Sequence, residues 1–227
     1  MDVEYSDKYE PLFESNENIR YKHVVGGRGS AKSHAVSTYL LTKTFNRDEV
    51  ILFSRYTMSS AKISVIPEFT EKIELLGYTD VFSITENVIT NTITGSKIIF
   101  KGLNTSSGNQ TAAIKSINGL TCWVLDEAEE LVDESLFNKI NLSIRKKGVT
   151  NEIILVYNST YRTHWIYKRF YEKKGYTEPF NGVVDDTVYI YTTYFDNYDN
   201  LEKSWLKDAE KCKNENPDEY EHAYLGH

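Results

Sequence analysis

The chain has 227 residues, 40% apolar and 26% charged, with a formal net charge of −7. That length supports one sizeable α/β domain with a core of its own, and the composition is that of an ordinary globular protein. No apolar run approaches the ~20 residues of a membrane-spanning helix, and the acidic start MDVEYSDKYEPLFE is unlike a signal peptide. Cys122 and Cys212 stand far apart and outside any Cys/His cluster, which argues against structural zinc or a disulfide framework. A cytoplasmic protein with no membrane partner is expected.

The acidity is unevenly distributed. Residues 1–19 hold six acids and one base and residues 201–227 seven acids and four bases, which leaves a net +1 on residues 20–200. Net charge speaks to solubility rather than to fold. A near-neutral core can still present a local phosphate-facing patch, but this is not the composition of a stand-alone, high-affinity DNA binder.

In chain order, YKHVVGG (21–27) reads as a buried strand, 31–45 as a helix and 50–53 as a second apolar strand. A helical pattern follows through Ile63, Ile66, Phe69, Ile73 and Leu76. Residues 88–92 and 97–101, joined across TGS, predict an inserted β-hairpin, since both are rich in β-branched residues between turn formers. The strand CWVL (122–125), a helix over 134–145 and the strand EIILVYN (152–158) come next. TVYIYTTYF gives one more strand, and the acidic tail reads as helical. Apolar strands separated by helices imply a parallel sheet covered on both faces.

The chemistry begins at GGRGSAKS, directly after the first strand. Phosphate oxygens need closely packed backbone N–H donors, and Gly26, Gly27 and Gly29 let the chain curl tightly around Arg28, Ser30 and Ala31. Lys32 then reaches the β- and γ-phosphates, and the Ser33 hydroxyl is offered to Mg²⁺. Alanine at 31, where the P-loop pattern has glycine, is expected to be tolerated as a good helix former at a position already entering the helix.

CWVLDEAEEL (122–131) supplies the matching carboxylates. Four apolar residues followed by two acids describe a strand that delivers Asp126 and Glu127 to the C-terminal edge of the sheet, where open α/β sheets bind ligands. Asp126 is the expected Mg²⁺ holder and Glu127 the general base for an attacking water. A glutamate beside the metal-binding aspartate suits hydrolysis, and no guanine-reading NKxD motif is present. Asn158, at the tip of the next strand, is positioned to report the γ-phosphate to the segment behind it. The expected class is therefore α/β, a P-loop NTPase of the RecA-like (ASCE) type using ATP and Mg²⁺.

GGRGSAKS, Arg55 in LFSRY, IKSINGLTCWVLDEAEEL, the asparagine-tipped strand followed by His164 and Trp165, and TTYFDNY (192–198) together resemble the large terminase of tailed bacteriophages. The resemblance implies an acidic N-terminal segment (1–20), a P-loop ATPase core (21–180) and a C-terminal lid or linker (181–227) leading toward a nuclease domain absent from this chain. It further implies a motor that drives double-stranded DNA into a procapsid in the bacterial host cytoplasm. The implied partners are the portal protein, a small terminase subunit and other copies in a homo-oligomeric ring. In those terms Lys32 and Ser33 are the Walker A pair, Asp126 and Glu127 the Walker B pair, and Asn158 the coupling residue, followed here by Ser159 where the family often has proline. Arg28 falls where terminases carry an arginine that stabilises the γ-phosphate, and Lys115 where related motors carry a trans-acting basic finger. A helicase-like DNA-dependent ATPase and a P-loop regulatory protein remain as alternatives.

Overall fold

The computed structural model describes residues 5–58, 63, 65–105, 108–109, 114 and 116–227. Among these, β1 (Tyr21–Gly26), β2 (Val50–Thr57), β5 (Lys97–Thr105), β7 (Cys122–Asp126), β8 (Glu152–Tyr157) and β10 (Thr187–Thr192) run parallel in one sheet. The sheet order is β3-β4-β5-β2-β7-β8-β1-β10-β9, where β3 is Phe82–Ile84, β4 is Val88–Asn91 and β9 is Gly182–Val184. β6 (Gly108–Asn109) pairs with β5 alone.

The expected hairpin is present as β4 and β5, with Val88 opposite Ile99. What strand patterning does not reveal is that β5 also lies parallel to β2, with Ile51 in register with Ile98, so the hairpin extends the central sheet. The segment after residue 180 likewise adds β10 beside β1.

Successive strand residues point to opposite faces, and the core divides accordingly. Val24, Phe53, Val124, Ile154 and Val156 pack on one face with the short α1 (Glu10–Phe13), α2 (Lys32–Lys43) and α3 (Ile66–Leu75). Val25, Leu52, Trp123, Leu125 and Leu155 pack on the other with α4 (Glu134–Asn141) and α5 (Trp165–Phe170). Each fully buried Leu, Ile or Phe side chain is worth roughly 1.5–3 kcal/mol over its exposed state. The α3 pattern is realised by Ile66, Phe69 and Ile73, whereas Ile63 is 81% exposed. In α5 the apolar residues are buried and Lys168 is exposed, as an amphipathic helix with a basic outer face requires.

Residues of the N-terminal edge of the sheet hold a buried ion cluster. Lys43 Nζ lies 3.0 Å from Glu152 Oε1 and 3.3 Å from Glu49 Oε1. Tyr39 donates its hydroxyl to Glu152 at 2.7 Å. Buried charges persist when paired and hydrogen-bonded in this way. The opposite edge carries the strand tips Gly26, Asp126 and Tyr157, after which the chain turns at its candidate chemistry.

Candidate nucleotide-binding site

The loop from Gly26 to Ser33 leaves β1 and enters α2 with its backbone tightly held. At Gly26, φ is 151°, and a Cβ there would collide with the Thr192 carbonyl oxygen. The buried Tyr9 hydroxyl donates to Ser30 O at 2.7 Å and bonds Thr192 Oγ1 at 2.8 Å. Ser30 Oγ donates to Gly27 O at 2.7 Å, and Asn197 Nδ2 donates to Gly29 O at 2.9 Å. No side chain caps the first turn of α2. A helix N-terminus of this kind, with positive dipole and outward amides, favours an anion.

Ala31 corrects the reason given for its tolerance. It is not within the helix but precedes it as the N-cap, with φ 66° and ψ 18° in the left-handed region. An alanine Cβ costs about 1–2 kcal/mol there, so helix propensity plays no part. The hydrogen bonds from Tyr9, Ser30 and Asn197 hold the loop in this conformation.

The carboxylates meet the loop from β7. Asp126 ends that strand and is 6% exposed. Glu127 follows with φ 53° and ψ 47°, which turns its half-exposed side chain toward the cleft. Arg55, near the C-terminal end of β2, reaches across: Nε and Nη2 lie 2.8 Å and 2.7 Å from Asp126 Oδ2, and Nη1 lies 3.8 Å from Glu127 Oε1. Burial opposes the charge of Arg55, but the carboxylates of Asp126, Glu127 and Glu68 together outweigh it and raise the pKa. Burial raises the Glu127 carboxyl, with Arg55 pulling it back.

Lys32 folds back into the loop. Its Nζ donates to Gly26 O, to Gly27 O at 2.9 Å and to Asn158 Oδ1 at 3.4 Å. Burial lowers its pKa to about 8, against the opposing charges of Glu129 and Asp126. Glu129 Oε1 accepts from the Asn158 amide at 3.3 Å, which ties the acidic turn to the tip of β8. Arg28, Lys32, Ser33, Arg55, Asp126, Glu127 and Asn158 thus line one cleft. Ser33, Glu68 and Asp126 also enclose a small cavity beneath the loop. The rest of its lining is apolar (Val36, Phe53, Phe69, Val156), and the Ser33 hydroxyl and Asp126 carboxylate are hard oxygens of the type a divalent cation such as Mg²⁺ takes.

The Arg28 side chain is exposed at the cleft mouth. Lys115 lies outside the described residues. Cys122 and His23 are core residues: both are fully buried, and burial lowers the His23 pKa to about 3. Two aromatic residues upstream of the loop, Tyr9 and Phe13, both have structural partners. Tyr9 supports the loop, and Phe13 packs edge-on against Tyr39. A larger hollow next to Gly29 and Ala31 is lined by Tyr5, His34, Phe195 and Tyr198. Sequence patterning assigned no chemical role to Arg55 or Glu129. A permanent charge ending an otherwise apolar strand was the available signal for the first, and the acidic run after CWVL for the second.

A loop that turns over the C-terminal edge of a parallel sheet and enters an uncapped helix opposite an acidic strand tip is the arrangement of the P-loop NTPase fold, and this chain has that fold. Comparison with known proteins narrows the class. The family described as phage terminase large subunit matches residues 18–227, and the chain belongs to it. The PBSX phage terminase large subunit of Bacillus subtilis (strain 168) is 27% identical over 217 residues, covering 91% of this chain and 48% of that protein. The large terminase of a thermophilic bacteriophage in complex with ADP superposes with a TM-score of 0.65 at 17% identity, over 92% of this chain and 50% of that one. The large terminase ATPase domain of Thermus phage P74-26 gives a TM-score of 0.66 at 16% identity, over 98% and 92%. The chain spans about half the length of the curated relatives it matches.

Proposed function

We propose that this chain is the ATP-hydrolysing motor domain of a phage large terminase, a Mg²⁺-dependent ATPase that powers translocation of double-stranded DNA into a procapsid. The observation that carries the reading is the convergence of Lys32, Asp126, Glu127 and Asn158 on one cleft beneath the loop. Family membership and a similar fold that binds ADP in the thermophilic phage's terminase support it.

In this reading the amides at the start of α2 and the Lys32 ammonium take the β- and γ-phosphates, and Lys32 exchanges its loop carbonyls for phosphate oxygens. Ser33 and Asp126 hold Mg²⁺, which when bound offsets phosphate charge. Glu127 accepts a proton from the attacking water; its raised pKa moves it toward the range of an effective base. Asn158, bonded to both Lys32 and the Glu129 carboxylate, relays the state of the cleft to the turn behind it. The hollow beside Ala31 receives the base.

Portal protein, small terminase subunit and a homo-oligomeric ring in the host cytoplasm complete the proposal. Arg28 acts as a charge stabiliser within the subunit, and Lys115 as a finger supplied to the neighbour. Such fingers are worth about 10³–10⁵ in rate. Mixing Glu127→Gln subunits with Lys115→Ala subunits should restore part of the turnover, and absence of rescue would count against the trans role.

Glu127→Gln tests the core of the proposal. The amide keeps the shape and removes the base, so ATP binding should persist while turnover falls by about 10²–10⁴. Near-normal hydrolysis would sink the assignment.

A further inference from the structure

Arg55 makes both of its closest contacts to one oxygen, Asp126 Oδ2, at 2.8 Å through Nε and 2.7 Å through Nη2. Asp126 is buried, and it is the carboxylate that the proposed function assigns to the metal. A divalent cation takes charged oxygens as ligands, and an oxygen engaged twice by a guanidinium is already neutralised. Arginine keeps its charge at any working pH, so this contact is not relieved by titration. It is relieved by a stronger cation.

The guanidinium has a second partner in reach. Nη1 is 3.8 Å from Glu127 Oε1, a loose contact compared with those to Asp126. Arg55 therefore bridges the carboxylate that takes metal and the carboxylate that takes the water proton. Its position is set by the sheet, because Ser54, one residue before, is in register with Leu125, one residue before Asp126. The side chain thus begins level with Asp126 on the adjacent strand, with Glu127 Oε1 already within 3.8 Å of Nη1.

We propose that Arg55 is a positioning residue that competes with the divalent cation for Asp126 and, once displaced, holds Glu127. The inference rests on Asp126 being the metal ligand. Its consequence is a metal response opposite in sign to that of an ordinary structural residue. Removing Arg55 strengthens metal binding, because Asp126 no longer has to be released.

The test measures ADP affinity by calorimetry with and without Mn²⁺. The ratio of the dissociation constant without metal to that with metal isolates the contribution of the metal, since the linkage is reciprocal. In Arg55→Gln the ratio should rise by about 10-fold, the lower end of what a charged hydrogen bond is worth. Arg55→Lys keeps the charge but has no fork, and a smaller rise is expected. Asp126→Asn should lower the ratio. If Asp126→Asn lowers it while Arg55→Gln leaves it unchanged or reduced, the competition is overturned and the metal assignment survives. If Asp126→Asn has no effect, both are overturned. Should Arg55→Gln prove too unstable to titrate, the lysine variant decides, and a ratio no higher than wild type rejects the inference.

Discussion

Gly27 packs its Cα directly against the main chain of Tyr224, so that a Cβ at position 27 would collide with the Tyr224 carbonyl oxygen. The next amide, Arg28 N–H, donates to Ala223 O at 2.8 Å. Tyr191 donates its hydroxyl to Leu225 O at 2.7 Å, and Ser159 Oγ donates to Gly226 O. The C-terminal segment is thus strapped at once to the loop, to the sheet and to the turn after Asn158.

Gly27→Ala should push this segment away. Over-packing of this kind costs about 1–3 kcal/mol, visible as a lower melting temperature. Hydrogen exchange at residues 221–227 should accelerate relative to the β-sheet core. Unchanged protection of those amides would mean that the strap contributes nothing to order there.

Ala31→Gly should behave unlike a usual alanine-to-glycine change. Within a helix that substitution costs about 1 kcal/mol. At φ 66° the loss of Cβ strain offsets the added freedom of the unfolded chain. Stability at or above wild type, with ADP affinity retained, is the expected result. A drop of the helical size would mean that Ala31 is helical in solution.

Much of this site was readable from sequence because its parts are short and local. GGRGSAKS follows an apolar strand and opens a helix, and CWVLDE passes from buried strand to paired acids. Both cues act within a few residues. The pairing of β5 with β2 was not readable, since a hairpin pattern specifies its own partner but not a second one. The left-handed Ala31 sits in a loop whose Ser30 and Gly29 carbonyls are held by Tyr9 and Asn197, residues far from it in the chain on either side. Arg55 and Asp126, 71 residues apart, meet only because β2 and β7 are neighbours.

Glu178 lies behind the strand tip, where its protonation state should set the stability of the turn. Its Oε2 accepts from the Thr160 amide at 3.3 Å, two residues after Asn158. Burial raises its pKa from the ordinary 4.5 to about 7, against the downward pull of the Thr160 amide. The folded state therefore binds this proton more tightly than the unfolded one. Its stabilising effect is complete below about pH 4.5 and is lost as pH rises through 7. At about 1.4 kcal/mol per unit, the ionised carboxyl costs the fold about 3 kcal/mol at pH 8. Glu178→Gln keeps the shape and an acceptor oxygen without the charge. Near pH 5 the variant should melt only about 2 °C higher, because the unfolded carboxyl is already largely ionised there while the folded one is not. At pH 8 the variant should melt higher by several degrees, given about 2–4 °C per kcal/mol for a chain of this size. Ser159 joins this turn to Gly226, so hydrogen exchange of the C-terminal segment should slow in the variant at pH 8 but not at pH 5. Parallel melting curves for both proteins across this range would mean that Glu178 is already ionised in the folded protein at pH 5.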